Sequence, residues 1–560
     1  MNAKQKVVIV GGVAGGASAA ARLRRLNEQA EIVLLERDEY ISFANCGLPY
    51  YIGGEIADKA SLLLQTPQSF NARFNVDVRV LSEVSSVNTA AKTVTVHDKK
   101  TGKSYDESYD KLLLATGAEP IVPPVPGLTS KKVFTVRNVA DSVSIKGFIA
   151  HSGAKTVAVI GGGFVGVEVA EGLHASGLSV TLIEMAEQIL SPIDYDMICS
   201  VHSHMRQKGV KLLLQTELKE VCETETGLSL TLKGKEAPEQ PICCDMLVLG
   251  IGVKPETSLA KAAGLALTAR GHIVTSPSMQ TSNKDIYAVG DAVEVTDFMT
   301  GGKTAVPLAG PANKQGRVAA DNIAEIKEDS VYTGTQGSSI IKVFDLTVAS
   351  TGFNEKTAKR LGLNYDKSFT DSASHASYYP GASSISVKTI FEKGTGKILG
   401  AQLVGREGVD KRCDVFATAI RFGATAYDLT RLELCYAPPY SSAKDPVNMA
   451  GYVIENLLTG KCKSFHWHEV AALPRDGSVT LLDNRTAAEY ERGHIDGFTN
   501  IPLDSLRARL NELDKTKPVY ITCQVGLRGY VGTRILMQNG FDVYNLSGGY
   551  KLYSTIFSLK

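Results

Sequence analysis

The sequence predicts an α/β protein of several domains, and three observations carry that expectation. The chain is 560 residues long, about three or four ordinary domains. Two segments repeat one pattern: "KVVIVGGVAGGASAAARLRRL" leads to "EIVLLER", and "TVAVIGGGFVGVEVAEGLHASG" leads to "SVTLIEM". Beyond about residue 455 a third alternation of strands and helices begins, with a cysteine-bearing turn of its own.

Each repeat reads as an apolar strand, a glycine turn, a helix with small residues on its first turns, and a second strand ending in an acid, Glu36 or Glu184. Glycines let the backbone approach a pyrophosphate, the helix N-terminus stabilises its charge, and the acid accepts hydrogen bonds from ribose hydroxyls. Strand, turn, helix and acid together make each segment a dinucleotide-binding unit rather than an ordinary glycine-rich turn. In the first unit the three glycine positions fall on Gly11, Val13 and Gly16, so a valine replaces the middle one; the second is regular, with Gly161, Gly163 and Gly166. Met185 and Ala186 follow Glu184 where an arginine could hold a 2′-phosphate, so NADH is expected over NADPH. Two units in tandem point to a nicotinamide and a flavin exchanging a hydride. "YDKLLLATGAEP", ending at Ala115, Thr116 and Gly117, and "IYAVGDA", ending at Gly290 and Asp291, look like the strands that close a flavin domain. Alone, each is an ordinary buried strand with a turn.

Composition is that of a globular protein, 44% hydrophobic and 21% charged, and 60 Lys+Arg against 59 Asp+Glu gives no sign of a nucleic-acid or acidic-membrane partner. The N-terminus has lysines before an apolar run, as a signal peptide does, but Gly11, Gly12, Gly15 and Gly16 interrupt that run. No segment approaches the roughly 18 apolar residues of a membrane span. Nine scattered cysteines fit a reducing compartment, and cytoplasm is the expected location. None has metal-ligand spacing, so no metal is expected, and cysteines 199, 222, 243, 244, 413, 435 and 462 read as structural.

Eight stretches in order, "VGGVAGGASAA", "SFANCGLPY", "ATGAEP", "GGGFVGVEVAE", "IYAVGDA", "PLAGPANKQGR", "HASYYPGA" and "LCYAPPYSSAKD", resemble the FAD- and NAD-linked disulfide reductases. The resemblance is to the branch of coenzyme A disulfide reductases, NADH oxidases and NADH peroxidases, over roughly residues 5 to 450. It implies an FAD domain (1–115 and 256–325), an NADH domain inserted within it (116–255), both Rossmann-like, and an α+β dimerisation domain (326–452) of a homodimer. Cofactor-binding residues implied by it are Gly11, Gly12, Ala14, Gly15, Glu36, Arg37, Ser42, Asn45, Ala115, Thr116, Gly117, Arg137, Gly161, Gly163, Phe164, Val165, Gly166, Glu168, Glu184, Gly252, Gly290, Asp291, Pro307, Leu308 and Ala309.

Cys46 in "SFANCGLPYY" then becomes the redox-active sulfur beside the flavin. A cysteine ahead of a helix N-terminus and facing an electron-poor flavin is expected to have its charged state favoured, and Gly47 with Pro49 allows a helix to start there. With no neighbouring cysteine, its oxidised form is a mixed disulfide with a small thiol, a persulfide or a sulfenic acid. Peroxidases and oxidases of this branch typically carry a histidine where Ala14 stands, which counts against the sulfenic route. The resemblance further implies a coenzyme A site from Ser18, Arg22, Arg25, Ser42, Asn45, Arg73, Asn313 and Lys444. Arg22 and Arg25 are three apart on one helix face and could bind phosphates, although a solvated basic face is the commoner explanation. Tyr378 and Tyr436 match tyrosines that reach the other subunit's active site and help to protonate a leaving thiolate; their plainer role is interface packing.

After "LTGKCKSFHWHEV", read as a linker over 453–470, residues 471–560 carry "LLDNR", "GHIDGFTNIP", "CQVGLR" and "LSGGY", which resemble a rhodanese-like α/β domain, a sulfurtransferase module. Cys523 ends a strand just before a helix, so successive N–H groups can surround its sulfur, and Arg528 is expected to add positive charge at the rim. Arg485 follows Asn484 in "DNR", where relatives carry "DVR". The combined expectation is an NADH-dependent reductase of coenzyme A persulfide, polysulfide and coenzyme A disulfide, releasing hydrogen sulfide. Its rivals are an NADH oxidase or peroxidase with an accessory module, and a persulfide sensor or sulfur carrier.

Overall fold

The computed structural model describes residues 5–325 and 330–557. They form two compact units, one running to Glu187 and resuming over Val210–Gln336, the other Gln188–Gly209 with the chain from Gly337 onward.

In the first unit the two glycine-turn repeats build two separate five-stranded parallel sheets. One has the order Ile286–Ala288, Lys111–Leu114, Lys6–Val10, Glu31–Leu35, Asp77–Arg79. The other runs Val133–Thr135, Met246–Leu249, Thr156–Ile160, Ser179–Ile183, Lys211–Leu213. Strands such as "VVIV" are apolar without alternation because both sheet faces are covered: Val7 and Ile9 enter one core, Val8 and Val10 another. The helices Ala14–Leu26 and Phe164–Ala175 follow the first strand of each sheet. At both turns the leading glycine has a left-handed backbone, φ +101° at Gly11 and +104° at Gly161, which an L side chain rarely adopts. Three-stranded antiparallel sheets, Ser82–Asn88 with Thr93–Asp98 and Lys103–Ser108, and Thr216–Glu223 with Leu228–Gly234 and Ile242–Cys244, accompany them. Connections between the two sheets run as an antiparallel pair, Ala118–Pro120 with Val253–Pro255.

The second unit holds a five-stranded antiparallel sheet in the order Ser339–Val343, Leu346–Gly352, Ile398–Gly405, Ser384–Glu392, Tyr365–Ala373. Segment Gln188–Gly209, expected within the NADH domain, groups with this sheet for an electrostatic reason. Lys388, wholly buried, places its ammonium 2.9 Å from Asp196, 3.0 Å from Asp194 and 2.8 Å from Glu355. Breaking such a buried cluster strands charge in a low-dielectric interior.

The same unit ends in a five-stranded parallel sheet, Lys463–Phe465, Val543–Leu546, Val519–Thr522, Thr480–Asp483, Thr499–Asn500, flanked by Ala487–Glu491, Leu527–Gln538 and Gly549–Phe557. This corrects the linker over 453–470. Its first residues finish the helix Pro446–Leu458, and Lys463–Phe465 is an edge strand with Phe465 in the core. Trp467 Nε1 donates to Asp196 at 3.3 Å.

Candidate active sites

The first glycine turn opens onto a cleft that gathers residues from distant parts of the chain. Gly11, Ala14 and Gly15 line it from the turn, Glu36 and Arg37 from just past the strand Glu31–Leu35, and Asn45 from the cysteine turn. Ala115, Thr116, Gly117, Arg137, Gly290 and Asp291 complete the expected set there. Gly12, Ser42, Pro307, Leu308 and Ala309 are outside the lining, the last three leading into Ala309–Ile323, whose Ala312 does reach it. Glu36 is buried and accepts N–H bonds from Gly12 at 2.8 Å and Asp38 at 3.0 Å. Burial raises its pKa and those N–H groups oppose the rise. Sequence reading missed Asp38, Asn138 and Glu256 in this lining; Glu256 lies within 3.7 Å of Arg37, and its carbonyl accepts from Thr116.

The second glycine turn repeats the acid's geometry. Glu184 accepts from Gly162 N–H at 2.6 Å and from Ala186 N–H at 2.7 Å. Gly163, Phe164, Val165 and Gly166 form the turn and the start of the helix, and Gly252 follows Met246–Leu249 with φ +120°. Glu168, on that helix, accepts from Tyr50 Oη at 3.3 Å, and burial raises its pKa to about 7.

Asn45–Gly47 is a single 3₁₀ turn running into the helix Leu48–Gly53, with Pro49 in the first turn as expected. The helix packs closely on Phe164–Ala175, Gly53 against Gly172. Cys46 is exposed as a residue, yet its thiol pKa is raised. Desolvation by the surrounding protein is the larger cause, and the carboxylates of Glu168 and Asp291 push the same way. The pull toward a charged sulfur expected from the helix N-terminus and the flavin is thus opposed by this chain's own residues, by burial first and by the two carboxylates second.

A second, more open cleft is lined by Ser18, Arg22, Arg25, Ser42 and Asn313, and by Arg317, which sequence reading missed. Arg317 is four residues beyond Asn313 on one helix face, a spacing that could have signalled it. Arg22 also pairs with Asp321 at 2.7 Å, and Ser18 hydrogen-bonds Asn313. Arg73 is exposed and does not line this cleft, nor does Asn45, which belongs to the first. Lys444 is exposed in the second unit.

In the second unit the hydroxyls of Tyr378 and Tyr436 are 2.9 Å apart, both side chains being exposed. That hydrogen bond raises the pKa of Tyr378.

Cys523 is wholly buried at the end of Val519–Thr522, and Gly526 N–H donates to its sulfur at 3.1 Å. Gly526 has φ +99°, the bend that turns its N–H back to the sulfur. Two buried asparagines, neither foreseen as site residues, fix the loop from behind. Asn545 Nδ2 donates to the Gly526 carbonyl at 3.1 Å and Asn484 Nδ2 to that of Arg528 at 2.9 Å. Arg485 is buried, paired with Asp483 at 2.7 Å under the Tyr550 ring. Arg528 is not a free charge at the rim, which corrects that expectation: both its terminal nitrogens donate to Glu489 at 2.7 Å.

Against known families, residues 5–316 match the pyridine nucleotide-disulphide oxidoreductase model, 338–446 that family's dimerisation domain, and 466–555 the rhodanese-like domain. The chain belongs to the pyridine nucleotide-disulphide oxidoreductase family. It is 35% identical to the coenzyme A disulfide reductase of Staphylococcus epidermidis over 447 residues, 80% of this chain and 99% of that one. A Methanocaldococcus jannaschii NADH oxidase is also 35% identical, over 81% of this chain and all of its own. Among solved structures, the reduced Bacillus anthracis CoADR-RHD is 51% identical with a TM-score of 0.95, covering 100% of this chain and 99% of that one. The NAD-dependent persulfide reductase from A. fulgidus is 36% identical with a TM-score of 0.90, covering 98% and 100%.

As a member of this family the chain is an oxidoreductase, and the family implies FAD and a pyridine nucleotide. The first cleft fits FAD on its own chemistry. Arg37 Nη2 is buried there without a hydrogen-bond partner, Glu36 has lone pairs beyond its two backbone donors, and the N-terminus of Ala14–Leu26 faces the cleft with no acid in its first turn. Among the described residues no cluster of metal-ligating side chains occurs, and no helix is long and apolar enough to cross a membrane.

Proposed function

We propose that the chain is a cytoplasmic, homodimeric NADH-dependent flavoprotein reductase of coenzyme A persulfide, polysulfide and coenzyme A disulfide, with Cys46 as its single redox sulfur. The observation that carries this reading is one unpaired cysteine beside a dinucleotide cleft, in a chain that also holds a second, backbone-stabilised cysteine in a rhodanese loop. The name of the A. fulgidus relative supports a persulfide substrate, and that of the S. epidermidis relative a coenzyme A thiol.

Bound FAD would carry the electron pair of NADH to sulfur. Glu36 and Arg37 would hold it, and Gly161 to Gly166 with Glu184 would hold NADH. In the step at Cys46, its thiolate attacks the inner sulfur of coenzyme A persulfide, HS⁻ leaves, and a Cys46–coenzyme A disulfide remains. Two electrons then split that disulfide into two thiolates. Arg22, Arg25 and Arg317 supply cations for the coenzyme A phosphates. Tyr378, holding its proton through Tyr436, would protonate the departing thiolate in the partner's site. Cys523 would accept sulfane sulfur and pass it on through a small thiol.

Anaerobic NADH oxidation with the three substrates tests this. Loss of all three activities in Cys46→Ser is expected, with Cys523→Ser losing persulfide and polysulfide turnover more than disulfide turnover; a Cys46→Ser protein at wild-type turnover contradicts the mechanism. The M. jannaschii relative favours a second reading, NADH oxidase, which oxygen consumption far above sulfide production would support.

A further inference from the structure

Around the buried Cys523 the chain places two arginines and neutralises both. Arg485 is paired with Asp483, and Arg528 with Glu489 through two parallel N–H···O bonds. Arg528 is the one of the two that solvent and an incoming donor reach: its side chain is 32% exposed, against 2% for Arg485. Glu489 is anchored independently, accepting from Thr486 N–H and Oγ1 at 2.9 Å as the third residue of a capping box. Arg528 holds its carboxyl down at about 2, so it is ionised at every working pH. The four charges sum to zero, and the planar fork that would otherwise grip an oxyanion is already occupied.

A dianion such as thiosulfate gains little by approaching this neutral site. An alkyl persulfide carries one charge or none on its sulfurs and loses little. We propose that Glu489 is a specificity-determining residue that sets the Cys523 site against dianionic sulfur donors and for persulfides of thiols. The inference rests on the proposed role of Cys523 as a sulfur acceptor and adds the class of donor. With a persulfide, the Cys523 thiolate attacks the outer sulfur, the S–S bond breaks, and R–S⁻ leaves: Cys–S⁻ + R–S–SH gives Cys–S–SH + R–S⁻. With thiosulfate the same attack yields Cys–S–S⁻ and sulfite. Neither step needs a further reductant.

The experiment follows loading of Cys523 by one sulfur atom, read by peptide mass mapping of Cys523 in the full-length protein, against concentration of thiosulfate or of 2-hydroxyethyl persulfide, which carries no charge away from its sulfurs. Glu489→Gln keeps an acceptor for the Thr486 capping box and removes the charge. Its half-saturating thiosulfate concentration is expected to fall about tenfold, the scale of one charge-assisted hydrogen bond, with the persulfide value within about twofold of wild type. Glu489→Asp retains the charge and is expected to keep the wild-type preference. Unchanged thiosulfate saturation in Glu489→Gln, or an equal shift for both donors, overturns the proposal. Absence of loading in the wild type from both donors would instead overturn the sulfur-acceptor reading and this inference with it.

Discussion

Cys46 and Cys523, the two cysteines proposed as reactive, sit in opposite physical settings. Cys523 sits wholly buried with a backbone N–H 3.1 Å from its sulfur, the bend that aims that N–H being built from a left-handed glycine and two buried asparagines. Cys46 is exposed on a single 3₁₀ turn, and desolvation with two carboxylates raises its thiol pKa. The rhodanese loop aims a backbone N–H at its sulfur, whereas under the proposed function Cys46 would draw its charge stabilisation from what binds in the adjoining cleft. A sulfur carrier must hold a charged sulfur between partners; a redox sulfur needs its charge only while its cofactor is present.

Substitutions that exchange these properties test the contrast, and the largest effect is expected at Cys46. Cys46→Ser should lower NADH-dependent turnover on every sulfur substrate by about a thousandfold or more, as removal of a covalent nucleophile does, while Cys523 still loads with sulfur. Next comes Gly526→Ala, which puts an L residue at φ +99° and costs about 1–2 kcal/mol of backbone strain. It should lower the thermal midpoint and slow Cys523 loading, read by mass, with coenzyme A disulfide turnover unchanged. Asn545→Ala removes the side-chain donor to the Gly526 carbonyl, which keeps the Tyr530 N–H, at a cost of about 0.5–1.5 kcal/mol, and should slow loading less than Gly526→Ala does.

The smallest effect is electrostatic and pH-dependent. A carboxylate at Glu168 raises the Cys46 thiol pKa, and with its own pKa at about 7 it is charged only above that pH. Glu168→Gln should therefore lower the thiol pKa and speed alkylation of Cys46 by about threefold or less above pH 7. Below pH 7 variant and wild type should coincide. Peptide mass mapping of alkylated Cys46 reads both arms.

Both glycine turns, their acids and both cysteine loops were legible in the sequence because each is local: strand, turn, helix and acid lie within some thirty residues and follow from backbone sterics. What escaped is what the tertiary fold brings together. Glu168 shapes Cys46 from a helix more than a hundred residues away, Asn545 fixes Gly526 from the next strand, and Glu489 neutralises Arg528 across the domain. No spacing rule announces such pairs. The supposed linker failed for a related reason: "KSF" is too short to declare itself a strand, and it becomes one only by pairing with Val543–Leu546.

A division of labour between the two sulfurs is measured most directly by loading Cys523 with sulfane sulfur, removing the donor, and adding NADH with coenzyme A without oxygen. Wild-type protein should release one sulfide for each loaded sulfur, and Cys46→Ser should load equally and release almost none. Sulfide appearing as fast from the loaded Cys46→Ser protein as from wild type would contradict it.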